Sequence, residues 1–388
     1  MRTLIKNAKI YTTIAPVING WLLAEDKKIK KFQEGETTPE IEQSCDKVVD
    51  ASGKSLIPGF IDLHTHGSLG HCTMDADPDA IIEMAERNAK HGVIGFLPTT
   101  MTENRENTIK AIKAASSLVG KRGNFSKILG VHLEGPYFSP KKAGAQDPNN
   151  IRRADIDEIK DFLAAGVVKL VAMAPEYPEN IKAAEFLSQN GVTVAAGHSN
   201  ATYEELLLGS QHGFTEVTHL FNGMSAFSHR APGMIGGALT IPSLSCEMIC
   251  DNVHSHPAAQ NLAWRAKGKE RIILITDSIR PSGLPDGTYD TVSGTFVVSE
   301  NGTNLRLPSG TLAGSALTMD RALKNFTTNA ASTLEETWRC SSLNAAISLG
   351  ISSETGSIEN GKLADLVLLD ETFKVCMTMI EGKIVFEE

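Results

Sequence analysis

Eight short apolar runs recur from about residue 56 onward, and this repetition restricts the fold more than any other feature. They span 56–63, 93–98, 128–133, 169–174, 192–196, 216–220, 246–250 and 272–276. Each is followed by a polar loop, then in most units a stretch of helical period and a glycine. Pro78 suits the first position of a helix, and Gly92 follows its end; Gly120, Gly166, Gly191, Gly213 and Gly268 supply the same stop signal. Near-continuous apolar segments of strand length suit a parallel sheet buried on both faces. Eight strand–helix units predict an α/β fold, a (β/α)8 TIM barrel. One unit is irregular: the Gly-rich stretch 221–245 predicts a long loop at the barrel mouth with at most a short helix.

The flanks read differently. Residues 1–55 and 357–388 hold short alternating strands and turns, which predicts one small β-sandwich domain built from both chain ends. The barrel, 56–356, is then inserted between them. Residues 287–310 alternate and carry turn signals, predicting a β-hairpin excursion after strand eight. Two helices, near 317–330 and 335–349, close the barrel.

Composition narrows the function classes. The 388 residues carry a formal charge of −9, so no basic field is available for nucleic acid. A small anionic substrate needs only a local cation. Six scattered cysteines, with no CxxC pair, read as reduced core residues of a cytoplasmic protein. No run is apolar enough to cross a bilayer, and the N-terminus alternates like a strand. The basic run at 27–31 reads as a solvated hairpin edge.

In such barrels catalytic groups sit at the C-terminal ends of the strands. Six of the eight expected strands deliver a His, Glu or Asp there. Strand one ends in His64-Thr65-His66, strand three in Glu134, strand five in His198 and strand six in His219; His254 follows strand seven and Asp277 ends strand eight. Imidazoles and carboxylates suit Zn, with Fe or Mn as alternatives. Residues two apart on a strand face the same side, so His64 and His66 can reach one ion. Glu134 is long enough to bridge two, and His198 and His219 complete a second position. Two ions sharing a carboxylate lie about 3.5–4 Å apart. Each residue taken singly has a blander reading as a hydrogen-bonded structural group; their joint placement is what favours metal chemistry. Arg230, in the Gly-rich loop, reads equally as a solvated residue or as a partner for a substrate anion.

PGFIDLHTHG, HLEGPYFSPKKAGAQDP, GHSNA, VTHLFNGM, APGMIGGAL, LITDS, LAGSALTM and GKLADLVLLD together resemble the N-acetylglucosamine-6-phosphate deacetylases of the amidohydrolase superfamily, over nearly the whole chain. The resemblance implies one or two divalent ions held by Glu134, His198 and His219 with His64 and His66. It implies Asp277 as general acid/base. It also implies substrate contacts at Ala145, Asn222, Gly223, His254, Leu312, Ala313 and Gly314, with Arg230 binding the sugar phosphate, often from the neighbouring subunit of a homodimer. Gln146 departs from the pattern, because many members carry His there; Gln can donate a hydrogen bond to a carbonyl but carries no charge. The implied reaction is hydrolysis of an acetamide by metal-activated water, in amino-sugar catabolism and cell-wall sugar recycling. Rivals are an amidohydrolase for another N-acyl or cyclic amide, or a barrel that has lost its chemistry. Many cyclic-amide hydrolases place a modified Lys after strand four, where this chain has Ala174-Pro175-Glu176.

Overall fold

The computed structural model describes residues 1–13, 17–291, 294–299 and 303–388. Eight parallel strands form the barrel: Phe60–Thr65, Val93–Thr100, Val131–Glu134, Val168–Met173, Thr193–Ala196, Phe214–Val217, Ser245–Ile249 and Ile272–Ile275. Each pairs with the next in chain order. Lys127–Ile128 adds a short extra pairing beside the second strand.

Alternation explains why the runs are apolar throughout. In strand eight, Ile273 and Ile275 fall in one buried cluster. Ile272 and Leu274 fall in another, with the helix residues Ile81, Met84 and Phe326. Successive strand residues face opposite ways, so a strand with two buried faces needs apolar residues at both parities. Each fully buried Leu or Ile contributes roughly 1.5–3 kcal/mol. The helices dock by one face. In Pro78–Lys90, Ile81, Met84 and Ala85 are buried, and the Asp77 carboxylate caps the start by accepting from the Asp79 amide at 2.9 Å.

Closure between strands one and eight uses individual bonds instead of a regular ladder. The Asp277 amide donates to the His64 carbonyl and the His66 amide to the Ser278 carbonyl, both at 2.8 Å. Beneath them the buried Asp62 carboxylate accepts from the Thr276 hydroxyl at 2.6 Å and from the Thr276 and His64 amides at 3.2 Å.

The chain ends form one eight-stranded sheet wrapped on itself, which is how the sandwich arises. Its path runs Lys383–Glu387, Val375–Ile380, Leu366–Leu369, Ser55–Pro58, Arg2–Ile10, Ile18–Glu25, Lys28–Glu34, with Lys47–Asp50 also on Arg2–Ile10. Ile5, Leu22, Ile29, Leu56, Leu366 and Met377 share the enclosed core. The wrap is fastened where the Ile29 amide donates to the Lys362 carbonyl and the Ala364 amide to the Lys27 carbonyl.

Three local expectations need revision, and one, the short helix within the Gly-rich stretch, is met. The apolar run 56–63 serves two sheets: Ser55–Pro58 pairs in the terminal sheet, and only Phe60 onward joins the barrel. Both halves are buried, so hydrophobicity alone cannot mark the switch at Gly59. The excursion at 287–310 has three antiparallel strands, Thr288–Thr291, Gly294–Ser299 and Asn304–Arg306, instead of a hairpin. Its connections at 292–293 and 300–302 lie outside the described residues. The second closing helix is broken into Leu334–Thr337, a 3-10 turn Trp338–Ser341, and Leu343–Ser348. There the Ser341 and Ser342 hydroxyls both donate to the Trp338 carbonyl, competing with the backbone ladder. Within 221–245 the helix Gly233–Thr240 forms. No helix among the described residues is long and apolar enough to cross a membrane.

Candidate active site

Six chemistry-bearing side chains meet at the C-terminal rim. Glu134 Oε1 lies 3.0 Å from His219 Nε2, 3.2 Å from His198 Nε2 and 3.5 Å from His64 Nε2. Glu134 Oε2 lies 3.2 Å from His66 Nε2. Asp277 Oδ1 is 3.3 Å from His66 Nε2 and 3.6 Å from His64 Nε2. All six groups are buried.

The rim is assembled against local backbone preference. His198, His219 and Asp277 adopt left-handed φ angles of 43°, 31° and 49° immediately beyond their strands. Such conformations cost L-residues on the order of 1–3 kcal/mol each and persist only when surrounding bonds determine them. The His198 carbonyl accepts from the Ser139 amide, that of His219 from Asn222, and that of Asp277 from Ser315. Gly144 and Gly223 then close on the His198 ring. A Cβ on either would sit 3.2 Å from a ring atom, and both have φ near +60°.

The partners of the outer ring nitrogens show what the cluster is built to hold. A neutral imidazole has one N–H and one lone pair. His66 Nδ1 faces the Thr99 carbonyl at 3.2 Å, His198 Nδ1 the Lys142 carbonyl at 2.9 Å, and His64 Nδ1 the Glu247 carboxylate at 3.1 Å. Each outer nitrogen therefore carries the proton, and each Nε2 turns a lone pair inward onto Glu134. The His198 and His219 Nε2 atoms are 3.1 Å apart. Lone pairs facing a carboxylate repel unless positive charge lies between them. The residues thus fit a divalent cation, as Glu134–His198–His219 and as His64–His66–Glu134. Without it, protons substitute. Burial opposes charge on His64 and His66, but Glu134 and Asp277 overcome that and raise both, His66 to about 9. Burial also opposes charge on Glu134 and Asp277, and His64 nevertheless holds both below the usual carboxylate range.

The expected substrate residues fall into three groups. Ala145, Gln146, Ala313 and Gly314 line the recess over the cluster, and Gly223 abuts His198. Gln146 is engaged on both sides: its amide N–H donates to Glu134 Oε2 at 2.5 Å, and its carbonyl accepts from the Thr102 amide at 2.8 Å. His254 is fixed by Asp251 at 2.7 Å; burial works against its charge, but Asp251 raises it above the ordinary imidazole range. Asn222 turns its amide onto the His219 and Leu220 carbonyls, and Leu312 bridges to Arg306 outside the recess. Arg230 lies on a fully exposed segment, 226–231, away from this chain's own recess.

Other groups carried weaker signals. Arg280 lines the recess, pairs with Asp75 and donates to the Gly70 carbonyl. His132 is buried edge-on to the His64 ring, centroids 4.6 Å apart, and burial depresses it well below the imidazole range. Glu247 supports His64; the signal for it was a charged residue inside an apolar strand.

The family model for the amidohydrolase family matches residues 55–385. This chain belongs to the amidohydrolase family. Among relatives of this amidohydrolase, N-acetylglucosamine-6-phosphate deacetylase of Lysinibacillus sphaericus is 39% identical over 87% of each chain. N-acetylgalactosamine-6-phosphate deacetylase of Escherichia coli O157:H7 is 37% identical over 87% of this chain and 89% of that one. The crystal structure of N-acetylglucosamine-6-phosphate deacetylase from Thermotoga maritima superposes with a TM-score of 0.88 at 33% identity, covering 99% of this chain and 100% of that one.

Proposed function

We propose that this amidohydrolase hydrolyses the acetamide of N-acetylglucosamine 6-phosphate to glucosamine 6-phosphate and acetate. The observation that carries the reading is the ring of inward-facing imidazole lone pairs around Glu134, with the Asp277 carboxylate beside it. The names of the relatives supply the substrate class.

An amide resists attack because its carbonyl is resonance-stabilised and its amine leaves poorly. Glu134, His198 and His219 hold one divalent ion, with His64 and His66 able to hold a second; Zn suits this donor set, Fe or Mn being alternatives. When bound, the ion lowers the pKa of water to roughly 7 and polarises the acetamide carbonyl. Asp277, kept ionised, accepts a proton from the attacking water and returns it to the departing nitrogen. Gln146 holds the Glu134 carboxylate from the substrate side, and His254 faces the substrate across Asp277. Ala145, Gly223, Ala313 and Gly314 shape the sugar pocket, and Asn222 and Leu312 are further sugar contacts outside the recess of this chain.

Arg230 binds the phosphate in the recess of a neighbouring subunit, as its exposure in this chain favours, and the active unit is then a homodimer in the cytoplasm. The barrel of 56–356 carries the chemistry, and the unit of 1–55 with 357–388 flanks it. Acetate release from the gluco and galacto epimers, measured on metal-quantified enzyme, tests the assignment. Faster release from the gluco epimer is expected, and no release from either would sink it.

A further inference from the structure

Glu247 lies in barrel strand seven, between strand six and strand eight, and its side chain is fully buried. Its Oε2 lies 3.1 Å from His64 Nδ1 and accepts the backbone N–H of His219 at 3.4 Å. One carboxylate oxygen thus joins two of the four histidines, carried on strands one and six. Its other oxygen has no hydrogen-bond partner, and Glu216 lies beside it on strand six, also buried. A buried polar atom left unmatched costs about 1–3 kcal/mol. A glutamine could accept the same N–H, so holding the strands together does not by itself explain an acidic side chain here.

We infer that Glu247 is the positioning residue of the metal centre: it fixes the His64 proton on Nδ1, aims the Nε2 lone pair at the ion, and holds the turn that presents His219. The inference rests on the reading of His64 and His219 as metal ligands. A carboxylate behind a ligating imidazole fixes ring orientation and raises its basicity, and losing such a partner typically weakens metal affinity 10–100-fold. The effect falls on the ion, not on the fold. Glu216 belongs to the same buried pair but touches none of the histidines, so it provides the control.

Metal-stripped wild type, E247Q and E216Q are titrated with Zn²⁺ against a chromophoric chelator, and the thermal midpoint of each metal-free protein is recorded. E247Q is expected to bind at least one of the wild type's ions 10–100-fold more weakly. Its metal-free midpoint should be no lower than wild type, and E216Q should bind as wild type does. Unchanged Zn²⁺ affinity in E247Q overturns the inference and leaves the proposed function standing. A lowered midpoint with unchanged affinity likewise assigns Glu247 a structural role only. A wild type that takes up no ion overturns both readings. Should E247Q fail to fold, the histidine nitrogen resonances of the Zn²⁺-loaded wild type decide: a His64 proton on Nδ1 supports the inference, and the opposite tautomer overturns it.

Discussion

The barrel rim and the wrapped terminal sheet obey opposite rules. In the terminal sheet every level agrees. Strands alternate, Leu366 and Met377 fill an enclosed core, and charges such as Lys374 and Glu388 pair on the outside. Residues in the left-handed conformation there sit in a bulge or a turn between strands: Asn7 at a bulge, and Asp26, Phe373 and Glu381 in turns. At the rim, His198, His219 and Asp277 take it at strand ends, and charges are buried face to face. The sheet minimises local conflict. The rim accumulates it and becomes reactive, because strain and desolvation are what hold a ligand set ready.

The largest test of this contrast is Asp277→Asn. It should lower turnover by about 10²–10⁴-fold, with metal content unchanged. Turnover near wild type would remove Asp277 from proton transfer. In the other region, Leu366→Ala should lower the unfolding free energy by about 2–5 kcal/mol in a denaturant titration, while turnover per folded molecule stays constant. Loss of specific activity there would show that the two regions are coupled.

Glu216 tests whether conflict extends below the rim. Burial, reinforced by Glu247, pushes its carboxyl from 4.5 up to about 8. The folded state therefore keeps a proton that the unfolded chain has released, so stability falls as pH rises between those values. Glu216→Gln removes that slope. Its stability gain over wild type should grow by about 2 kcal/mol between pH 6 and 7.5; a pH-independent difference would place the charge elsewhere. The smallest effect is expected from Lys374→Ala. Its partner Glu388 is equally solvated, so the thermal midpoint should stay within experimental scatter.

Legibility in the sequence followed the same division. The eight barrel strands could be read because both faces of each are buried, and His64, His66, Glu134, His198, His219 and Asp277 because strand ends in such barrels share one rim. The switch at Gly59 could not be read, since an apolar run looks the same whichever sheet it enters. Glu247 was hidden inside such a run; its importance depends on strands one and six coming within reach of strand seven. The break at Ser342 turned on hydroxyl groups whose choice of partner only the tertiary structure fixes. Arg230 shows the opposite limit, because its place in the sequence suggests a role that the geometry of one chain does not fulfil.

The pairing of Leu366–Leu369 with Ser55–Pro58 has a consequence for synthesis. The two strands are separated by about 300 residues, so during translation the amino-terminal strands wait for most of the chain to emerge before their sheet is complete. Until then Ser55–Pro58 presents an open edge able to pair with a second nascent chain. Emergence of the strands within 366–387 is thus the step that seals this sheet.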